Sequence, residues 1–60
     1  MTVGELIHKL LQVPPETEVV LELYAERHVH RAVYDLTERT LKLQDESLEQ
    51  CEPMDDEKLL

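Results

Sequence analysis

Carboxylates are the residues whose number and spacing bear most directly on what this chain can do. Seven of its fourteen acidic residues fall in the last sixteen positions: Asp45, Glu46, Glu49, Glu52, Asp55, Asp56 and Glu57. Lys58 is the single base among them, so this segment carries −6 of the formal −8, and residues 1–44 carry the other −2. Charge of one sign at this density opposes folding by self-repulsion and complements a positively charged surface, such as one that otherwise holds nucleic acid. A solvated, partly disordered acidic tail is the other reading the segment allows. Paired carboxylates also serve glycosidase-type acid–base chemistry, but two of them must then face each other across a concave site. Sixty residues around one packed layer offer little concavity.

The remaining reactive types carry less. His28 and His30 form a His-x-His pair that a strand would place on one face, but zinc needs further ligands, and Glu26 falls on the opposite face. His8 reads as a helix-surface residue. Cys51, the only cysteine, sits among carboxylates that would raise its pKa, with no cation near it in sequence to lower it. It is better read as a docking contact for the acidic segment than as a nucleophile. No Gly-rich phosphate loop, activated hydroxyl or metal-ligand cluster is present, so neither an enzyme nor a cofactor is expected.

The elements that must position these residues follow from periodicity. Thr2 and Glu5 form a capping box in front of a helix whose apolar stripe is Val3, Leu6, Ile7, Leu10 and Leu11. Pro14 and Pro15 stop that helix. Glu18–Ala25 alternates as a strand, Val29–Leu36 reads as a second and Thr40–Gln44 as a third. A turn around Arg27-His28 pairs Leu23 with Ala32, Leu21 with Tyr34 and Val19 with Leu36. A turn around Glu38-Arg39 pairs Leu36 with Leu41 and Tyr34 with Leu43, and sets Asp35 opposite Lys42. Neither turn holds the Gly or Asn that tight hairpins prefer. The expected fold is α+β: the N-terminal helix packed on a three-stranded antiparallel meander over residues 1–44. An acidic segment, 45–60, follows as one or two short helices or as disorder. Ser47 would cap the first of these, with Met54, Leu59 or Leu60 tucked against the body.

On the outer sheet face this register groups Val20, Tyr24, Val29 and Val33, an apolar patch beside Glu18, Glu22, Arg31 and Asp35. Three readings stay open for it: the C-terminal segment folds back over it, a second copy pairs with it, or a different partner binds it. No apolar run approaches the roughly 20 residues that span a bilayer. The N-terminus lacks the pattern of a signal peptide, and one free thiol fits a reducing compartment. The sequence thus points to a cytoplasmic protein with no membrane partner, too acidic to bind nucleic acid itself.

Thr2-Val3-Gly4-Glu5-Leu6-Ile7, Leu10 and Pro14-Pro15-Glu16-Thr17-Glu18-Val19-Val20 resemble a recurrent opening of small phage and prophage proteins of α-β-β-β order. That likeness covers about the first twenty residues and carries no functional residue over. By type, a very small acidic chain also resembles anti-CRISPR and anti-restriction inhibitors, several of which present carboxylates where phosphates would sit. That resemblance implies a non-enzymatic, nucleic-acid-mimicking inhibitor of a host defence complex with a Lys/Arg-lined channel, such as a type I CRISPR surveillance complex. The contacts would be Asp45, Glu46, Glu49, Glu52, Asp55, Asp56 and Glu57, with Glu18, Glu22 and Glu26 as a second row and Tyr24 or Val20 as apolar anchors. The alternative is a small homodimeric structural or regulatory protein that pairs through the outer sheet face.

Overall fold

The protein is described by a computed structural model, which covers residues 1–25, 28–48 and 50–60. Helix α1 spans Val3–Leu10. Thr2 caps it, its hydroxyl accepting the Glu5 backbone N–H at 3.2 Å. After Leu10 the chain tightens, with Gln12 N bonded to Lys9 O and Val13 N to Leu10 O, before Pro14 prevents a further turn. Four strands follow among the described residues: β1 (Glu18–Glu22), β2 (Arg31–Asp35), β3 (Thr40–Gln44) and β4 (Glu57–Leu59).

The sheet is mixed, in the order β1-β3-β2-β4, and not an antiparallel meander. β3 inserts between β1 and β2. It runs parallel to β1, pairing Val19 with Leu41 and Leu21 with Leu43, and antiparallel to β2, pairing Ala32 with Leu43 and Tyr34 with Leu41. The expected pairings of Leu23 with Ala32, Leu21 with Tyr34 and Val19 with Leu36 therefore do not form. The connection lacks a residue suited to a tight primed turn, and Arg27 and Glu26 lie outside the described residues. A long link passing the end of β3 replaces the hairpin.

The β2–β3 hairpin does form, two residues out of the expected register. Asp35 pairs with Thr40, not Lys42, across a loop of residues 36–39. Two is the period of a strand, so the slip leaves the side chains of β2 and β3 on their expected faces. Turn chemistry comes from Asp35, whose Oδ1 accepts the N–H groups of Thr37 (2.9 Å) and Glu38 (3.1 Å). Arg39 closes the loop at φ 54°.

The acidic segment contributes a strand to the sheet, Glu57–Leu59. A 3₁₀ turn at Glu46–Leu48 leads into a crossover, and β4 pairs with β2 through Val33–Leu59, Tyr34–Lys58 and Asp35–Glu57. Where a second short helix or disorder was expected, there is an edge strand. Ser47 caps nothing; its hydroxyl bonds to the Asp45 carboxylate. Leu60 packs on the core, whereas Met54 and Leu59 are exposed.

One sheet face carries Ala32, Leu41 and Leu43, covered by Met1, Leu6, Val13, Val29 and Leu60. The helix meets this face through Leu6 and Lys9, and Val13 packs on it beyond the helix end. The Met1 amino group bonds to Val29 O, and Lys9 Nζ bonds to Leu60 O. Val3, Ile7 and Leu11 remain exposed, so the full apolar stripe does not cover the sheet as expected. Widths explain why: a helix about 10 Å across covers roughly two strands spaced ~4.8 Å apart, and this sheet has four. β1 lies beyond its reach.

Candidate functional site

The opposite sheet face is polar, and its strands align in three cross-strand rows. Glu22, Gln44 and Arg31 form the first; Val20, Lys42, Val33 and Leu59 the second; Glu18, Thr40, Asp35 and Glu57 the third. In the first row Gln44 Nε2 donates to Glu22 Oε1 at 2.9 Å, and Arg31 Nε donates to Gln44 Oε1 at 2.7 Å. Arg31 Nη2 continues outward to the carbonyls of Leu48 (2.7 Å) and Cys51 (2.6 Å). A rigid guanidinium fork thus straps the 45–56 crossover onto this face. Beneath it Val33 is only 1% exposed.

Lys42 occupies the centre of the sheet, 3.5 Å from Asp35 Oδ2 and 3.6 Å from Glu57 Oε2. Burial acts to lower its pKa, but Glu57, Glu22 and Asp35 together outweigh burial and hold it above the ordinary lysine value. Asp35 moves the other way. The N–H of Glu38 has the largest effect, and with Thr37 and Lys42 it keeps the carboxyl below the usual range despite desolvation. The far end is fastened by a backbone bond from Leu36 N to Asp56 O (2.7 Å) and a side-chain bond from Thr37 Oγ1 to Asp56 Oδ2 (3.0 Å).

The acidic residues singled out from sequence are therefore sorted by the fold. Glu46, Glu52, Asp55 and Asp56 are exposed along the crossover, and Glu18 is exposed on the same sheet face at β1. Glu22 and Glu57 are half-buried and engaged by Gln44 and Lys42. Glu26 and Glu49 lie outside the described residues. Asp45 is no surface acid at all: it is 0% exposed, and Oδ2 accepts the backbone N–H groups of Tyr24 (2.8 Å) and Ala25 (3.0 Å). It fastens the link that passes the end of β3. Its place next to that link follows from strand order, which the sequence pattern does not contain.

The apolar patch expected on this face is not assembled. Val33 is beneath the crossover, and Val29 packs with the core on the opposite side. Val20 is partly exposed, and Tyr24 is exposed beyond the end of β1. Sequence reasoning missed Arg31 as the strap. The available signal was an arginine on the outer face of a short sheet, followed by a segment that had to cross that face.

The basic residues are distributed differently from the acids. Lys9, Arg31 and Lys42 are turned into the fold, bonded to Leu60 O, to Gln44 and the crossover carbonyls, and to Asp35 and Glu57. Arg39 and Lys58 are the exposed lysines and arginines among the described residues. Among the described residues eight acids are exposed against these two bases. Cys51 is exposed, and its carbonyl, not its thiol, makes the docking contact. Among the described residues no group of three or more His, Cys, Asp or Glu is placed to hold a metal, and no helix is long and apolar enough to cross a membrane. No family model, curated protein or solved structure matches the chain.

Proposed function

We propose that this chain is a non-catalytic inhibitor that occupies a Lys/Arg-lined protein surface in place of nucleic acid. Glu46, Glu52, Asp55 and Asp56 would make the contacts, with Glu18 beside them and Glu22 and Glu57 contributing field from half-buried positions. Tyr24 would add an aromatic anchor at the margin. The observation that carries this reading is the inward turn of Lys9, Arg31 and Lys42, which leaves Arg39 and Lys58 as the exposed lysines and arginines among the described residues, while Glu18, Glu46, Glu52, Asp55 and Asp56 are exposed. Such a face steers a basic partner from a distance and competes with phosphate at contact. The crossover is fastened by Arg31 and β4, so little ordering entropy is lost when these carboxylates bind. In the cytoplasm of a bacterial host, the partner class would be a defence complex that binds DNA or RNA, in keeping with the resemblance to small acidic phage inhibitors.

The test is capture of host proteins from a nuclease-treated lysate by the wild-type chain and by a Glu46→Gln/Glu52→Gln/Asp55→Asn/Asp56→Asn variant. Wild type should recover a nucleic-acid-binding protein that is released by high salt and by added duplex DNA, and the variant should recover at least tenfold less. Equal recovery by both chains would show that these carboxylates do not mimic phosphate.

A further inference from the structure

We propose that a second copy of this chain docks on the exposed apolar face formed by α1 and β1, opposite the acidic crossover. Val3 of the helix and Leu11 at its C-cap are 75% and 80% exposed, and Ile7 between them is 53% exposed. On the same side of the sheet Val19 and Leu21 are 57% and 63% exposed, although their register partners Leu41 and Leu43 are core residues. Leu10 and Val19 line a shared cleft of about 210 Å³ with Leu41, so helix and edge strand border one groove. At 100° per residue, Glu5 and Lys9 fall on the other flank of the helix, which leaves the groove apolar.

Area, charge and permanence favour a second copy. The five exposed side chains leave open on the order of 500 Å² of apolar surface, at the upper end for a monomer and most of the roughly 800 Å² per partner in a stable interface. The crossover carboxylates lie on the reverse face, so two chains stacked groove to groove keep those acids apart. An eight-residue helix is marginal without packing, and here most of its apolar stripe has no cover within the chain. Cover that is needed whenever the chain is folded is most simply supplied by the chain itself. Stacking of faces is favoured over pairing of β1 edges. Antiparallel β1 edges centred on Val20 would set Glu18 of each copy against Glu22 of the other. The resulting twofold dimer presents two acidic faces outward. This dimer stands or falls independently of what those acidic faces bind.

Sedimentation equilibrium of the wild-type chain from micromolar to near-millimolar concentration should give twice the 7.0 kDa chain mass, dissociating only at the dilute end. Leu11→Lys and Leu21→Lys should each weaken the dimer at least tenfold, while Glu18→Gln on the reverse face should not weaken it. If a lysine variant loses its circular-dichroism signal, the wild-type chain decides the matter through isotope-filtered NOEs in a mixed-label sample. Cross-copy NOEs should join the Ile7 and Leu11 methyls to Val19 or Leu21. A 7.0 kDa mass at every concentration, a dimer unaffected by both folded lysine variants, or cross-copy NOEs confined to other residues would each overturn the proposal.

Discussion

Asp35 and Lys42 are single residues whose ionisation the fold adjusts in opposite directions. Asp35 is held below its ordinary 3.8, first by the Glu38 N–H, and its charged form is therefore favoured in the folded chain. Its contribution to stability is present above that value and is lost as pH falls through the folded-state pKa. Lys42, held above 10.5, contributes below that value and loses its contribution as pH rises through the folded-state pKa. Asp35→Asn should accordingly be less stable than wild type at neutral pH, and the two urea midpoints should converge as pH falls below about 4. A difference that stayed constant down to pH 2 would place its origin in packing and not in charge. The proximity of Asp35 and Lys42 was legible in the sequence, because the alternation of β2 and β3 places both on the outer face. That Glu57 would join them was not, since nothing local marks Glu57–Leu59 as a strand.

The elements divide between those set by local signals and those set by their neighbours. Helix α1 begins and ends where Thr2 and Pro14 require, and β3 has the span that its alternation indicates. Strand order is different, because it depends on which edges β3 can satisfy. At the centre, Lys42 meets acids from β1, β2 and β4, whereas at the edge of a meander it would meet those of one strand. Central placement sends the link between β1 and β2 past the end of β3, and the buried Asp45 carboxylate then holds that link through two backbone N–H groups. Asp45→Ala leaves both donors without this acceptor and should cost about 2 kcal/mol, since hydrogen bonds to charged groups contribute roughly 1.5–3 kcal/mol. Chemical denaturation measures this directly, and a loss under about 0.5 kcal/mol would mean that the clasp is replaceable by water.

As a whole the molecule is a slab of 28 × 27 × 14 Å with two unlike faces. A body this thin supports surface recognition better than an enclosed reaction site. The acidic segment is also part of what holds the slab together: it supplies β4, the Asp45 clasp, the carbonyls that bind Arg31 and the cover over Val33. Deleting residues 45–60 should therefore abolish cooperative unfolding and collapse the dispersion of the ¹H–¹⁵N correlation spectrum. Sixty residues already bury too little surface to spare an edge strand. A truncated chain that kept a dispersed spectrum would show that residues 1–44 fold alone.

By itself the sequence determined the local and the alternating features. These were the capped helix, three strand segments (two of them shorter than expected, Glu18–Glu22 and Arg31–Asp35), the face each side chain within those strands occupies and the excess of negative charge near the C-terminus. All of these depend on residues within a few positions of one another or on a period of two, which a slip of two residues leaves intact. Only the tertiary structure decided that β3 lies between β1 and β2, that Asp45 is buried while Glu46, Glu52, Asp55 and Asp56 are exposed, and that the apolar face open to solvent is the one by the helix. The physical reason is that strand order and helix placement are settled by pairings between distant residues, Lys42 with Glu57, Arg31 with Leu48 and Cys51, and Lys9 with Leu60. No window along the chain contains both partners of any of these pairings.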